Sequence, residues 1–187
     1  MTKLLAGFLF LLSPTAAFAC PTVDDLGRGI EFRLANGDVE VHKQLRPDWV
    51  TLTVTYSDGD GVLMEMYRGL YLQSMVPMES GLPQLGLRDD FATQAELLQW
   101  QAPQPDASWA NQTPGGGQAV AGSMDSTMIA GCRYASFEVV IEFNDDAGYK
   151  ETYDYLPDLG LGLLVKTDAD DESGVETYSY ISIKPVE

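Results

Sequence analysis

From Ile30 onward the chain runs in short stretches of alternating apolar and polar residues, broken by clusters of Gly, Asn, Asp and Pro. A period of two suits a half-buried β-strand and does not suit a helix. Ile30, Phe32 and Leu34 alternate with Glu31 and Arg33; after Asn36-Gly37, Val39 and Val41 alternate with Asp38, Glu40 and His42. A two-residue turn at Asn36-Gly37 pairs Leu34 with Val39 and Phe32 with Val41, and leaves His42 on the polar face opposite Glu31. Next, Val50, Leu52, Val54 and Tyr56 share one face before Ser57-Asp58-Gly59-Asp60-Gly61. A three-residue loop, Asp58 to Asp60, sets Val54 opposite Met64 and Leu52 opposite Met66. Phe137, Val139, Ile141 and Phe143 alternate with Ser136, Glu138 and Glu142 and turn into the strand Tyr149 to Tyr155, while Leu161 to Thr167 and Val175 to Ile183 form a last hairpin. The recurrence predicts roughly eight or nine strands and a mainly β fold: a strongly curved antiparallel meander, closed as an open barrel or a sandwich.

Residues 77–116 interrupt this pattern with Pro77, Pro83, Pro103, Pro105, Pro114 and the glycines from Gly115 to Gly117. Regular strands are not expected to persist there. Thr93-Gln94-Ala95-Glu96 has the form of a capping box, and Phe91, Ala95 and Leu98 fall on one helical face, so one short helix is expected in this long loop segment. A stretch of this length in a compact domain is read as an insertion that covers the sheet.

Lys3, the apolar run Leu4 to Leu12, Ser13-Pro14 and the small residues Thr15 to Ala19 follow the order of a secretory signal with cleavage after Ala19. The apolar run is shorter than the roughly 20 residues that span a bilayer, so no transmembrane span is expected, and residues 20–187 are read as a single β-rich domain in the periplasm or medium. With 28 acidic against 11 basic residues and a net charge of −17, nucleic acid and anionic lipid are disfavoured partners. Cys20 and Cys132 are the only cysteines. In an oxidising compartment they form a disulfide; the competing readings are lipidation of Cys20 as a membrane anchor, and two free thiols.

Catalytic chemistry has little to stand on. His42 is the only histidine, which excludes zinc sites built on two, and its expected place is a solvated strand face. A carboxylate-based hydrolase is the enzyme alternative, with Glu138 and Glu142 on one strand face as the visible acid pair. Acidic residues Asp168, Asp170, Asp171 and Glu172 suggest calcium, but Ser173 stands where the EF-hand loop needs Gly and Ser179 where it needs Glu. Met64, Met66, Met75 and Met78 offer thioethers for cuprous copper, although Met64 and Met66 belong to the core-facing side of their strand. No cofactor, catalytic residue or metal ligand is assigned.

Tyr155-Leu156-Pro157-Asp158-Leu159-Gly160 resembles the Tyr-x-Pro-x-Leu-Gly turn of uncharacterised exported bacterial β-sheet proteins, themselves similar to lipoprotein-carrier folds. The resemblance implies a curved antiparallel sheet wrapped around a helix or loop, with an apolar cavity and no catalytic residues to carry over. On the residues alone, Pro157 cannot donate to a ladder and Gly160 permits positive φ, so the flanking strands are expected to separate there. These readings converge on a non-enzymatic β-domain that binds an apolar ligand or an envelope protein in the concavity of its sheet.

Overall fold

The computed structural model describes residues 19–111, 116–144, 148–169 and 174–187. The expected signal segment up to Phe18 and residues 170–173 of the acidic loop lie outside the described residues. The first half carries β1 (Ile30–Leu34), β2 (Val39–Arg46), β3 (Trp49–Thr55), β4 (Gly61–Tyr67) and β5 (Tyr71–Glu79) in a continuous meander. Two short strands, β6 (Leu82–Pro83) and β7 (Asp89–Asp90), add to β5; helix α1 (Gln94–Leu97) and β8 (Ser108–Ala110) follow. The second half comprises β9 (Gly117–Ala121), β10 (Asp125–Ile129), β11 (Cys132–Phe143), β12 (Lys150–Leu156), β13 (Leu161–Asp168), β14 (Val175–Thr177) and β15 (Tyr180–Pro185). Every described pairing is antiparallel.

The expected final hairpin divides. β14 pairs with β13, but after Tyr178 and Ser179 the same segment crosses over as β15 and pairs with β1. The link is bonded on both sides, the Tyr178 amide donating to the Val165 carbonyl and the Ala35 amide to the Ser179 carbonyl. The two meanders therefore join into one curled half-barrel. Register shifts in the β1–β15, β2–β3, β4–β5 and β12–β13 pairs mark local irregularities, which add twist and bend the sheet.

The first hairpin departs from its predicted register by one residue. Arg33 pairs with Val39, Phe32 with Glu40 and Ile30 with His42. The loop is Ala35-Asn36-Gly37: the Gly37 amide donates to the Leu34 carbonyl, the Leu34 amide to the Asp38 carbonyl, and Asn36 Oδ1 accepts from the Asp38 amide at 3.0 Å. Gly37, at φ +97°, supplies the left-handed residue that closes a three-residue loop. Because strand side chains alternate, the slip turns Glu40 and His42 inward, and His42 is 2% exposed instead of solvated. The second hairpin repeats this loop as Ser57-Asp58-Gly59, with Gly59 at φ +95°. Leu52 pairs with Met64 and Val54 with Val62, two residues from the predicted register, so the apolar faces still match.

The Tyr155–Gly160 turn does not separate its strands. Leu156 pairs with Leu161 across a tight loop, and the Leu159 and Gly160 amides both donate to the Leu156 carbonyl. Pro157 lies in the loop, where no ladder bond is required of it. At this end of the molecule the Gly162 amide donates to Gly69, bringing the β12–β13 and β4–β5 turns together.

Within 77–116 the β5 ladder continues through Pro77, which pairs with Val62, contrary to the expected break. Thr93 caps α1 as expected: its hydroxyl accepts from the Glu96 amide at 3.3 Å, while its own amide donates to Glu96 Oε2 at 2.7 Å. The buried side is Leu97 and Trp100, whereas Phe91 and Leu98 are exposed, because the chain leaves the helix after one turn and Trp100 folds back onto Tyr71. One core cluster joins Trp49, Tyr67 and Tyr71 of the first meander to Phe137, Val139 and Tyr153 of the second through Leu97 and Trp100. A second cluster, with Phe32, Ile129, Leu161 and Ile183, packs where β1, β15 and β13 meet.

Cys20 and Cys132 form a disulfide with Cα atoms 5.5 Å apart. The sulfur that lipidation would use is thus engaged, which overturns both the lipid-anchor and the free-thiol readings. The Tyr134 hydroxyl donates to the Pro21 carbonyl at 3.0 Å, and Leu26, in a short 3₁₀ turn, is buried in the second cluster. No helix among the described residues is long and apolar enough to cross a membrane.

Candidate functional site: a cavity in the concave face

Inward-pointing side chains of the half-barrel leave a cavity of about 790 Å³. Leu52, Val54, Met64 and Met75 form one wall and Ile141, Phe143 and Leu164 the other. The walls follow from strand alternation: Leu52, Met64 and Met75 are successive cross-strand partners on one face, as are Ala119, Ile141 and Glu151. Asp90, Phe91, Trp100, Asn111 and Gly116, from the long insertion, line it as well. Phe91 and Trp100 are held by backbone bonds, the Phe91 amide donating to the Gln73 carbonyl, and the Arg68 guanidinium and the Tyr71 hydroxyl donating to the Trp100 and Gln101 carbonyls.

The cavity is apolar with isolated polar points. Glu151 projects from β12 into its wall, where Tyr149 donates to Oε1 at 3.1 Å and Tyr153 donates a short hydrogen bond to Oε2. Burial lifts the Glu151 carboxyl above its ordinary value, while the tyrosine bonds, which favour the charged form, oppose the shift. Burial first, then the neighbouring Glu151 charge, pushes the Tyr153 hydroxyl well above the usual phenol value. Phe143 packs beside Tyr149 with ring centroids 5.8 Å apart, and Tyr178 also lines the cavity. The four acidic residues of the lining are Asp38, Glu40, Asp90 and Glu151; Lys, Arg and His do not occur among its described residues.

Glu40 belongs to a second polar group. Its carboxylate lies 3.2 Å from His42 Nε2 and within hydrogen-bond distance of the Tyr180 hydroxyl, whose one proton is shared between that carboxylate and the Leu164 carbonyl at 3.2 Å. Burial and the Glu40 charge raise the Tyr180 pKa. Phe32 sits edge-on to both His42 and Tyr180. The arrangement ties β1, β2, β15 and β13 together and leaves His42 away from the cavity wall.

The remaining sequence candidates disperse. Glu138 and Glu142 are exposed, Glu142 lying 3.7 Å from Lys150. Asp168 pairs with Lys166 at 2.9 Å. Met64 and Met75 face each other across β4 and β5, but Met78 alternates to the opposite face, so the four methionines do not converge. Among the described residues, no group of three or more His, Cys, Asp or Glu is gathered as a metal site. Sequence reasoning missed Glu40, His42 and Glu151. The signal for Glu151 was available, since it shares the period-two phase of Tyr149, Tyr153 and Tyr155.

No protein-family model and no curated protein sequence matches the chain. Among solved structures, a crystal structure of MucB is similar to it with a TM-score of 0.33 and 14% identity over 88% of this chain and 57% of that one. The MucA/MucB complex from Pseudomonas aeruginosa gives a TM-score of 0.30 and 14% identity, over 87% and 54% respectively. The chain thus spans little more than half the length of the solved chains it is similar to.

Proposed function

We propose that the chain is an exported binding domain, not an enzyme, that holds an apolar ligand in the concavity of its sheet. The observation that carries this is the cavity of about 790 Å³ walled by Leu, Val, Ile, Met and Phe side chains, within the size range of small-molecule sites. Export is supported by the signal-like order of Lys3 to Ala19 and by the disulfide, which is stable in an oxidising compartment. The single imidazole does not line the cavity and is engaged with the Glu40 carboxylate, so the lining itself offers a histidine-dependent nucleophile no base.

Binding of the apolar fluorophore N-phenyl-1-naphthylamine tests the reading. Wild-type protein is expected to enhance its fluorescence saturably, and Leu164→Trp, which places an indole in the void, to weaken binding about ten-fold, or ~1.4 kcal/mol, with thermal stability retained. Absence of saturable binding by the wild type would remove the apolar-ligand reading. A protein contact is the second reading, favoured by Leu82, Leu85 and Leu87, which are 68%, 74% and 63% exposed beside β5.

A further inference from the structure

The charged groups among the described lining residues are all acidic, and one of them, the half-buried Glu151, is bonded by two tyrosine hydroxyls. Glu151 receives these two hydroxyls and no cation; Ile141 is its cross-strand partner in the wall, and Phe143 packs against Tyr149. Tyr178 lines the same cavity, its hydroxyl donating to Glu176 Oε2 at 2.8 Å. A carboxylate beside several aromatic rings is the arrangement that recognises ammonium groups: the charge supplies Coulomb attraction, and ring faces attract a cation through their quadrupoles without demanding hydrogen-bond donors from it. The opposite head group meets the reverse. A carboxylate or phosphate entering this cavity would lose its hydration shell and find acceptor-rich walls with no described basic side chain to offset the loss.

Resting on the apolar-ligand reading, we infer that the ligand is an amphiphile with a cationic head, a protonated amine or quaternary ammonium, seated at Glu151 between Tyr149, Tyr153 and Phe143, its apolar tail lying along the methionine-bearing wall. Glu40 and Asp90 do not compete for this role: Glu40 is held by His42 and Tyr180, and Asp90 lies 2.8 Å from the Arg88 guanidinium. Asp38 is bonded by the Asn36 amide group and the Ser57 backbone amide at the hairpin turns. Glu151 is the lining carboxylate bonded by two phenol hydroxyls, neutral groups that a cation could join without displacing a counter-ion.

Three probes with the same twelve-carbon tail separate the terms: dodecyltrimethylammonium, dodecanol and dodecanoate, each below its micelle concentration at about 0.15 M salt, read by displacement of the naphthylamine dye. The ammonium is expected to bind about ten-fold more tightly than the alcohol and the carboxylate about ten-fold more weakly. Glu151→Gln should bring the ammonium to within about two-fold of the alcohol, leaving the alcohol unchanged, while Glu138→Gln, which removes the same charge from an exposed position, should leave the wild-type order intact. Equal affinities for the three probes, tighter binding of dodecanoate, or an ammonium preference that survives Glu151→Gln would overturn the head-group inference while leaving the cavity reading standing. Failure of all three to displace the dye would overturn both.

Discussion

Glu151 is held by phenols, not by a counter-cation, and this gives it a pH signature. Burial raises its pKa from the ordinary 4.5, so the folded chain binds this proton more tightly than the unfolded chain. Its contribution to stability is therefore greatest below pH 4.5, declines as pH rises through the folded value, and is constant above it. The hydroxyls bonded to it, on Tyr149 and Tyr153, belong to phenols, whose unperturbed pKa is about 10, so they stay protonated throughout that window. Replacing Glu151 with Gln removes the titration: the melting temperature of the variant relative to wild type should climb between pH 4 and pH 7, as read by scanning calorimetry. A difference that stays flat across that range would mean that Glu151 is solvated in the folded protein. At the same scale, His42 Nε2 donates to Glu40 when the ring is neutral, and Nδ1 finds no hydrogen-bond partner among the described residues. Phe32 covers it instead.

Individual hairpins set which side chains reach the interior. The shared three-residue loop, Ala35-Asn36-Gly37 and Ser57-Asp58-Gly59, uses an Asx side chain to hold the following amide and a left-handed glycine to return the chain. Asn-Gly suits a two-residue type I′ turn equally well on local grounds, and the two choices differ by one residue of register. The longer loop is the one that keeps Ile30, Phe32 and Leu34 buried together and lets Glu40 reach both His42 and Tyr180. The insertion obeys a different local rule, the capping box. Thr93→Ala removes the cap acceptor and should cost about 1 kcal/mol in the local stability of α1. Faster native-state hydrogen exchange at the Leu97 and Trp100 amides, whose bonds to Thr93 and Leu97 close the turn, would show it; unchanged exchange would mean that packing of Leu97 and Trp100 alone holds the segment.

Across the whole molecule, the disulfide and the strand crossover do the closing. Cys20 and Cys132 are 112 positions apart, and a loop of that size implies about 4 to 5 kcal/mol of chain-entropy stabilisation, an upper figure where the reduced chain retains structure. Cys132→Ser should therefore lower the melting temperature by roughly 5–20 °C, measured by calorimetry, and reducing agent should do the same to the wild type. A smaller loss would mean that Leu26 and the Tyr134–Pro21 bond already fix the N-terminal segment. The crossover from β14 to β15 has no covalent counterpart. It places the two meanders edge to edge, so that inward faces designed as separate half-buried sheets enclose one space.

Local grammar is legible in the residues alone: period-two runs dictate antiparallel strands, the Phe137–Phe143 face reads correctly as facing the core, the capping box places α1, and an even cysteine count in an export-like chain points to the bridge. Those features depend on residues a few positions apart, or on a count, and are visible without a fold. The phase of β2, the burial of His42, the buried side of the insertion and the continuation of β5 through Pro77 were decided elsewhere. Each depends on which surface arrives from elsewhere in the chain: Tyr180 for Glu40, Tyr71 for Trp100, Val62 of β4 for Pro77. The cavity belongs to the same class, since a concave face is a property of curvature summed over strands from both halves, and burial of a side chain is settled by its neighbours in space.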